Sequence, residues 1–96
     1  MEGTAMISIK RWNVDLFVDE QEDEGFTYAE ARLHTDDETH LVGRGRARLA
    51  PGDREVPEIG AELAVARALS DLAHRLLDAA AGDIEQMTGA SAHPHL

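Results

Sequence analysis

The chain has no cysteine. That removes disulfide staples, thiolate nucleophiles and cysteine-based zinc sites together, and it fits a reducing compartment. Aromatic residues make up only 4% of the sequence, so a core must be assembled from Leu, Val, Ile and Ala. Lysine is nearly missing: Lys10 stands alone among nine basic residues, and the rest are Arg. No apolar run approaches the ~20 residues needed to cross a membrane. Met1 to Ile7 carry no basic cluster leading into an apolar stretch, so no export signal is read there. These absences point to a cytoplasmic protein with no membrane contact.

What remains is an ordinary globular balance of 43% hydrophobic and 29% charged residues in 96 positions. That length is one domain with a thin core, to which a partner surface would add stability. The formal net charge is −10, which on average repels nucleic acid and anionic membrane. A nucleic-acid role therefore requires a local basic patch.

Residues Ser8 to Asp19 alternate with the period of a half-buried strand, with Trp12, Val14, Leu16 and Val18 on one face. The acidic run Asp19 to Glu24, closed by Gly25, reads as a solvated turn. Phe26 to His34 alternate again, with Ala29, Ala31 and Leu33 on one face and Tyr28, Glu30, Arg32 and His34 on the other. After a turn at Thr35-Asp36-Asp37-Glu38, a third strand is expected from about Thr39 to Leu49. Its faces are Leu41, Gly43, Gly45, Ala47 and Leu49 against Val42, Arg44, Arg46 and Arg48. Pro51-Gly52-Asp53 reads as a turn. Pro57 suits the first turn of a helix, and the helical spacing runs from Glu58 to about Ala81. Gly82 is expected to end this helix, and Asp83 to cap a short second one from Ile84 to Met87.

The expected fold class is α+β: a three-stranded antiparallel meander packed in two layers by one long C-terminal helix plus a short terminal helix. A single domain is placed at residues 8–88, with flexible termini at 1–7 and 89–96.

Small residues on one face of the third strand imply that the Ala-rich helix crosses the sheet closely. The helix is apolar over about half its circumference, including Ile59, Leu63, Leu69, Leu72 and Leu76. One small sheet cannot cover so wide a face, and the surplus predicts a homodimer.

Catalytic and metal chemistry find little support. The acidic turns lack the ligand spacing of a calcium loop. The histidine pairs His34/His40 and His93/His95 have no third ligand at a useful spacing. Ser70 and His74 sit at different angles on the helix, with no glycine-rich oxyanion turn nearby. No cofactor, metal or small-molecule substrate is expected, and the chain reads as a non-enzyme. The sheet face bearing Arg32, Arg44, Arg46 and Arg48, with Tyr28 and Phe17 nearby, is what an RNA platform would look like. Against that, Asp15, Asp19 and Glu30 share the face and can neutralise the arginines.

The stretches Trp12-x-Val14-Asp15, Tyr28 to Leu33, Val42-Gly43-x-Gly45-x-Ala47-Arg48-Leu49, Pro57 to Ala73 and Asp83-Ile84-Glu85 carry a resemblance. Over about Trp12 to Gln86 the chain resembles a family of short actinobacterial proteins of unknown function, whose fold is grouped near double-stranded-RNA-binding domains. The resemblance implies a three-stranded sheet with a long helix, and a homodimer. It also implies a setting in hypoxia or dormancy and a contact with idle ribosomes, with no catalytic residue to carry over. The chain departs from the family pattern at Arg44 and Arg46, where apolar residues are usual, and its sheet face is the more basic for it. A protein-interaction module with no nucleic-acid binding is the alternative.

Overall fold

The computed structural model describes residues 7–36, 40–48 and 57–89. Strands β1 (Asn13–Gln21), β2 (Phe26–His34) and β3 (His40–Arg48) form one antiparallel sheet in the order β1-β2-β3. Helix α1 (Pro57–Thr88) crosses one face of it. The α+β meander-plus-helix expectation is met.

Three boundaries differ from the sequence expectation. The first strand starts at Asn13 rather than Ser8, because pairing sets its length: Asn13 faces His34, the last residue of β2, and the register continues unbroken to Gln21 opposite Phe26. The acidic run is therefore strand as far as Gln21, and only Glu22–Glu24 form a 3₁₀ turn, closed by Gly25 at φ 70°. That positive φ is the conformation glycine adopts without strain.

The third difference is the helix, which is one element of 32 residues with no break at Gly82. A glycine ends a helix by turning left-handed, and Gly82 does not; Gly89 does, at φ 71°. There the Gly89 N–H donates to the Glu85 carbonyl at 2.7 Å, the bond of a left-handed C-terminal cap. Ile84 to Met87, expected as a separate terminal helix, are part of α1. Thr39, Leu49, the Pro51-Gly52-Asp53 turn, Asp37 and Glu38 of the second turn, and both ends of the chain with His93 and His95 lie outside the described residues.

The core is built from small side chains. Ala29, Ala31 and Leu33 of β2 and Ala47 of β3 meet Ala64, Ala68 and Leu72 of α1, with Leu41, Val65 and Leu76 packed around them. Gly43 and Gly45 let the helix come down onto the strand backbone. A Cβ on Gly43 would run into the backbone of Ala68 and Leu72, at 2.7 Å from the Leu72 Cα, and one on Gly45 would lie 2.8 Å from the Arg67 carbonyl carbon. Backbone-on-backbone contact of this kind leaves no room even for a methyl group.

The helix lies over β3 and β2 and barely touches β1. A helix ~10 Å across covers about two strands spaced ~4.8 Å apart. The inner face of β1 is consequently bare: Val14, Leu16 and Val18 are 41%, 47% and 44% exposed. The broad apolar surface of the helix divides in two. Leu72 and Leu76 pack on the sheet, while Ile59, Leu63 and Leu69 stay outside.

Two glycine substitutions are expected to act in opposite directions. Gly43→Ala should cost about 1–3 kcal/mol by overpacking. Gly82→Ala, in a helix interior with open space around it, should add ~1 kcal/mol. Urea denaturation of the two variants beside the parent checks both signs.

Candidate functional site

The face of the sheet away from α1 is open. Strand alternation places Asp15, Phe17 and Asp19 of β1, Phe26, Tyr28, Glu30, Arg32 and His34 of β2, and His40, Arg44, Arg46 and Arg48 of β3 on it. Across the strands the rows read Phe17–Glu30–Arg44, Asp19–Tyr28–Arg46 and Gln21–Phe26–Arg48. Acids thus lie along β1 and arginines along β3.

Glu30 is the hub. Its carboxylate accepts from the Tyr28 hydroxyl at 2.8 Å and from Arg32 Nε and Nη2 at 3.0 and 2.8 Å. Arg44 Nε stands 4.0 Å away. The Arg32 hydrogen bonds, followed by that of Tyr28, hold Glu30 below the usual carboxylate range. Tyr28 is pushed up, first by burial and then by its bond to Glu30. Two guanidinium groups cover aromatic rings diagonally across the ladder: Arg32 over Phe17 at 4.1 Å and Arg46 over Phe26 at 5.0 Å.

The predicted site residues therefore separate into two sets. Arg32 and Tyr28 are engaged with Glu30, and Arg32 also stacks on Phe17. Arg44, Arg46 and Arg48 form a row along the β3 rim, all exposed. Arg46 and Arg48 have no carboxylate partner among the described residues. The neutralisation expected from Asp15 and Asp19 does not reach this row. Asp15 pairs with His34 at 3.0 Å, and Asp19 accepts from Gln21 at 2.7 Å. Sequence reasoning missed Phe26, although it shares the parity of Tyr28.

The helix side of β3 adds a feature no periodicity shows. β3 is an edge strand whose outward backbone groups need partners. The Arg44 N–H donates to Asp71 Oδ2 at 2.8 Å, and Arg67 Nη1 donates to the Arg46 carbonyl at 2.7 Å. Asp71 is braced in turn by Arg75 Nε at 3.0 Å, one helical turn on. Helix side chains thus occupy two outward groups of the strand edge, the Arg44 N–H and the Arg46 carbonyl. The bond from the Arg44 backbone, then that from Arg75, holds the Asp71 carboxyl below its ordinary value.

A shallow open depression of about 430 Å³ lies near Glu30, Arg32, His34, His40 and Arg44. The two imidazoles stand edge to face, 6.0 Å between centroids. Among the described residues no three His, Asp or Glu side chains gather to hold a metal ion. His74 Nδ1 donates to the Ser70 carbonyl at 2.8 Å and not to its hydroxyl, so this pair makes no nucleophile and base. Among the described residues no helix is long and apolar enough to cross a membrane.

A two-layer α+β protein with a segregated, arginine-rimmed sheet face is thus defined. The chain belongs to the Rv2632c-like family, whose profile matches residues 10–93. It is 55% identical over 80 residues to the uncharacterised protein Mb1767 of Mycobacterium bovis, covering 83% of this chain and 82% of that protein. It is 44% identical over 79 residues to the uncharacterised protein Rv2632c of Mycobacterium tuberculosis, covering 82% of each. The crystal structure of Rv2632c superposes with a TM-score of 0.78 at 41% identity, over 90% of this chain and 99% of that one.

The Asp71 contact has a pH signature. Because the folded pKa of Asp71 is depressed, its contribution is complete above the unfolded value of about 3.9 and is lost as pH falls through the lower folded value. Between pH 5 and pH 2 the parent should lose more stability than Asp71→Asn, with the urea midpoints at the two pH values as the measurement.

Proposed function

We propose that this chain is a non-catalytic cytosolic homodimer that contacts the phosphodiester backbone of structured RNA, the ribosome included, through the β3 rim. The observation that carries this reading is the row Arg44, Arg46 and Arg48, two of which have no carboxylate partner among the described residues. Alternate strand residues repeat at about 6.6 Å, so the row presents three guanidinium groups in line. Arginine recognises phosphate with a planar fork of donors. The rings of Phe17 and Phe26 are already covered by guanidinium groups, so the face is suited to phosphates rather than to stacked bases. Such contacts position a nucleic acid without reading its sequence.

The net charge of −10 opposes this reading less than it first does. The acids of β1 lie two strands, ~10 Å, from the arginine rim. That exceeds the screening length of ~8 Å at physiological salt. Glu30, which lies between them, is held by Arg32. A dormancy setting is supported by the family resemblance alone.

A second reading, a protein-interaction module for a basic partner, is favoured by the acidic β1 rim, where Asp19 continues into the exposed turn at Asp23 and Glu24. A pull-down that survives RNase treatment would support it.

Co-sedimentation with ribosomes at low salt, lost as salt rises, is the expected result for the RNA reading. Changing Arg44, Arg46 and Arg48 together to Ser should abolish binding, or flatten the log–log salt dependence by about 2 to 3 units if residual binding persists. Unchanged affinity in the triple variant would overturn it.

A further inference from the structure

The open face of the sheet has a gap in its cover. Along β3 the side chains on this face are His40, Val42, Arg44, Arg46 and Arg48. Val42 is the short residue in that row. Its partner across the ladder is Arg32, a side chain long enough to close the space. Arg32 is instead drawn the other way, onto the Phe17 ring at 4.1 Å and into two hydrogen bonds with Glu30. The open depression of about 430 Å³ is the result. Val42 forms its floor, with His34 and His40 at one end and Glu30 and Arg44 at the other.

We propose that this depression seats the base of one unpaired nucleotide in an RNA whose phosphates lie on Arg44, Arg46 and Arg48. This rests on the RNA reading above and names the feature of RNA that the face selects. The lining suits a planar ring with an anionic tail. Its floor is apolar, and flat groups stand two residues away on either side of Val42: the imidazole of His40 and the guanidinium of Arg44. Unpaired bases stack on such planes, and every base has a π-face to offer them. His40 is exposed and has no carboxylate partner among the described residues. The volume lies in the range of ~300–1,000 Å³ found for small-ligand sites. The shallow, open form fits a base swung out from a chain better than a ligand enclosed on all sides.

The rest of the face offers a base less. Phe17 and Phe26 carry guanidinium groups, and the Tyr28 hydroxyl is held by Glu30. The two nearest acids are also engaged, Glu30 by Tyr28 and Arg32 and Asp15 by His34. Arg44 lies one alternate step from Val42 along the strand, about 6.6 Å. A base over Val42 therefore places its own phosphate at Arg44, and the chain continues toward Arg46 and Arg48. A free mononucleotide would use the first of these arginines and leave the other two idle. The continuing row is what points to a nucleotide within a chain.

Two blunt RNA duplexes of the same sequence, one fully paired and one with a single bulged nucleotide, separate the slot from the rim. The parent should bind the bulged duplex about 5-fold more tightly or better, the share of one stacked base. Val42→Gln fills the depression without adding charge and should bring the ratio of the two affinities to about one. His40→Ala, at an exposed position, should lower the ratio as well. In amide NMR spectra the bulged duplex should move the signals of Val42, His34 and His40 further than the paired one does. Equal binding of the two duplexes by the parent would overturn the slot and leave the rim reading standing. A preference that survives in both variants would place the bulge elsewhere and overturn it too. If neither duplex binds, the proposal falls together with the RNA reading. Adenosine monophosphate is then the probe: a response of Val42 and His40 to it, and not to inorganic phosphate, would assign the depression to a free nucleotide instead.

Discussion

The structure depends on one contact, the approach of α1 to the backbone of β3 at Gly43 and Gly45. Because the strand offers no side chain there, Ala64 and Ala68 are fully buried with little apolar mass around them. The core is held by closeness of packing more than by size of side chains, as a sequence so poor in aromatics requires. The same closeness brings Asp71 and Arg67 within reach of the strand's outer backbone groups. Had the helix stood off by the usual side-chain thickness, neither bond could form. The position of the helix over β3 also leaves β1 uncovered, so the bare inner face of β1 and the occupied edge groups of β3 have one cause.

On the opposite face, the organising group is Glu30. One carboxylate collects Tyr28, Arg32 and, at longer range, Arg44. It ties the middle of the face together and leaves the two rims with opposite charge. A strongly acidic protein can in this way keep a basic line on its surface. The net charge describes the molecule at a distance, and the rim describes it at contact.

Much of this was legible in the sequence, and the reasons differ by element. Strict alternation set β2 at Phe26–His34 without error, because each of its faces has a different environment. The glycines of β3 announced close helix packing. The extent of β1 was not legible from its own residues, since the strand stops where β2 ends. Gly82 misled for a related reason: a glycine permits a helix to stop but does not compel it, and the neighbouring Ala and Ile residues carry the helix on. For the candidate site, the arginine row followed from parity alone. Which arginines keep a free charge did not, because that turns on rotamers around Glu30 and on the two ring stacks. The role of Asp71 was half visible: its pairing with Arg75 follows from spacing, but its bond to a strand 27 residues away does not.

The occupied edge groups of β3 bear on assembly. A sheet with two receptive edges is a bifunctional monomer: each addition regenerates the end that accepted it, and growth can run on into a fibre. This chain comes closer to monofunctional in that sense, since β1 can accept a strand while on β3 the Arg44 N–H and the Arg46 carbonyl already have partners. Edge-to-edge addition through β1 would leave two β3 edges outermost, each obstructed by side chains of its own helix. Asp71 and Arg67 thus stand in the way of further growth, and removing both would leave the β3 edge without the side-chain partners it now has.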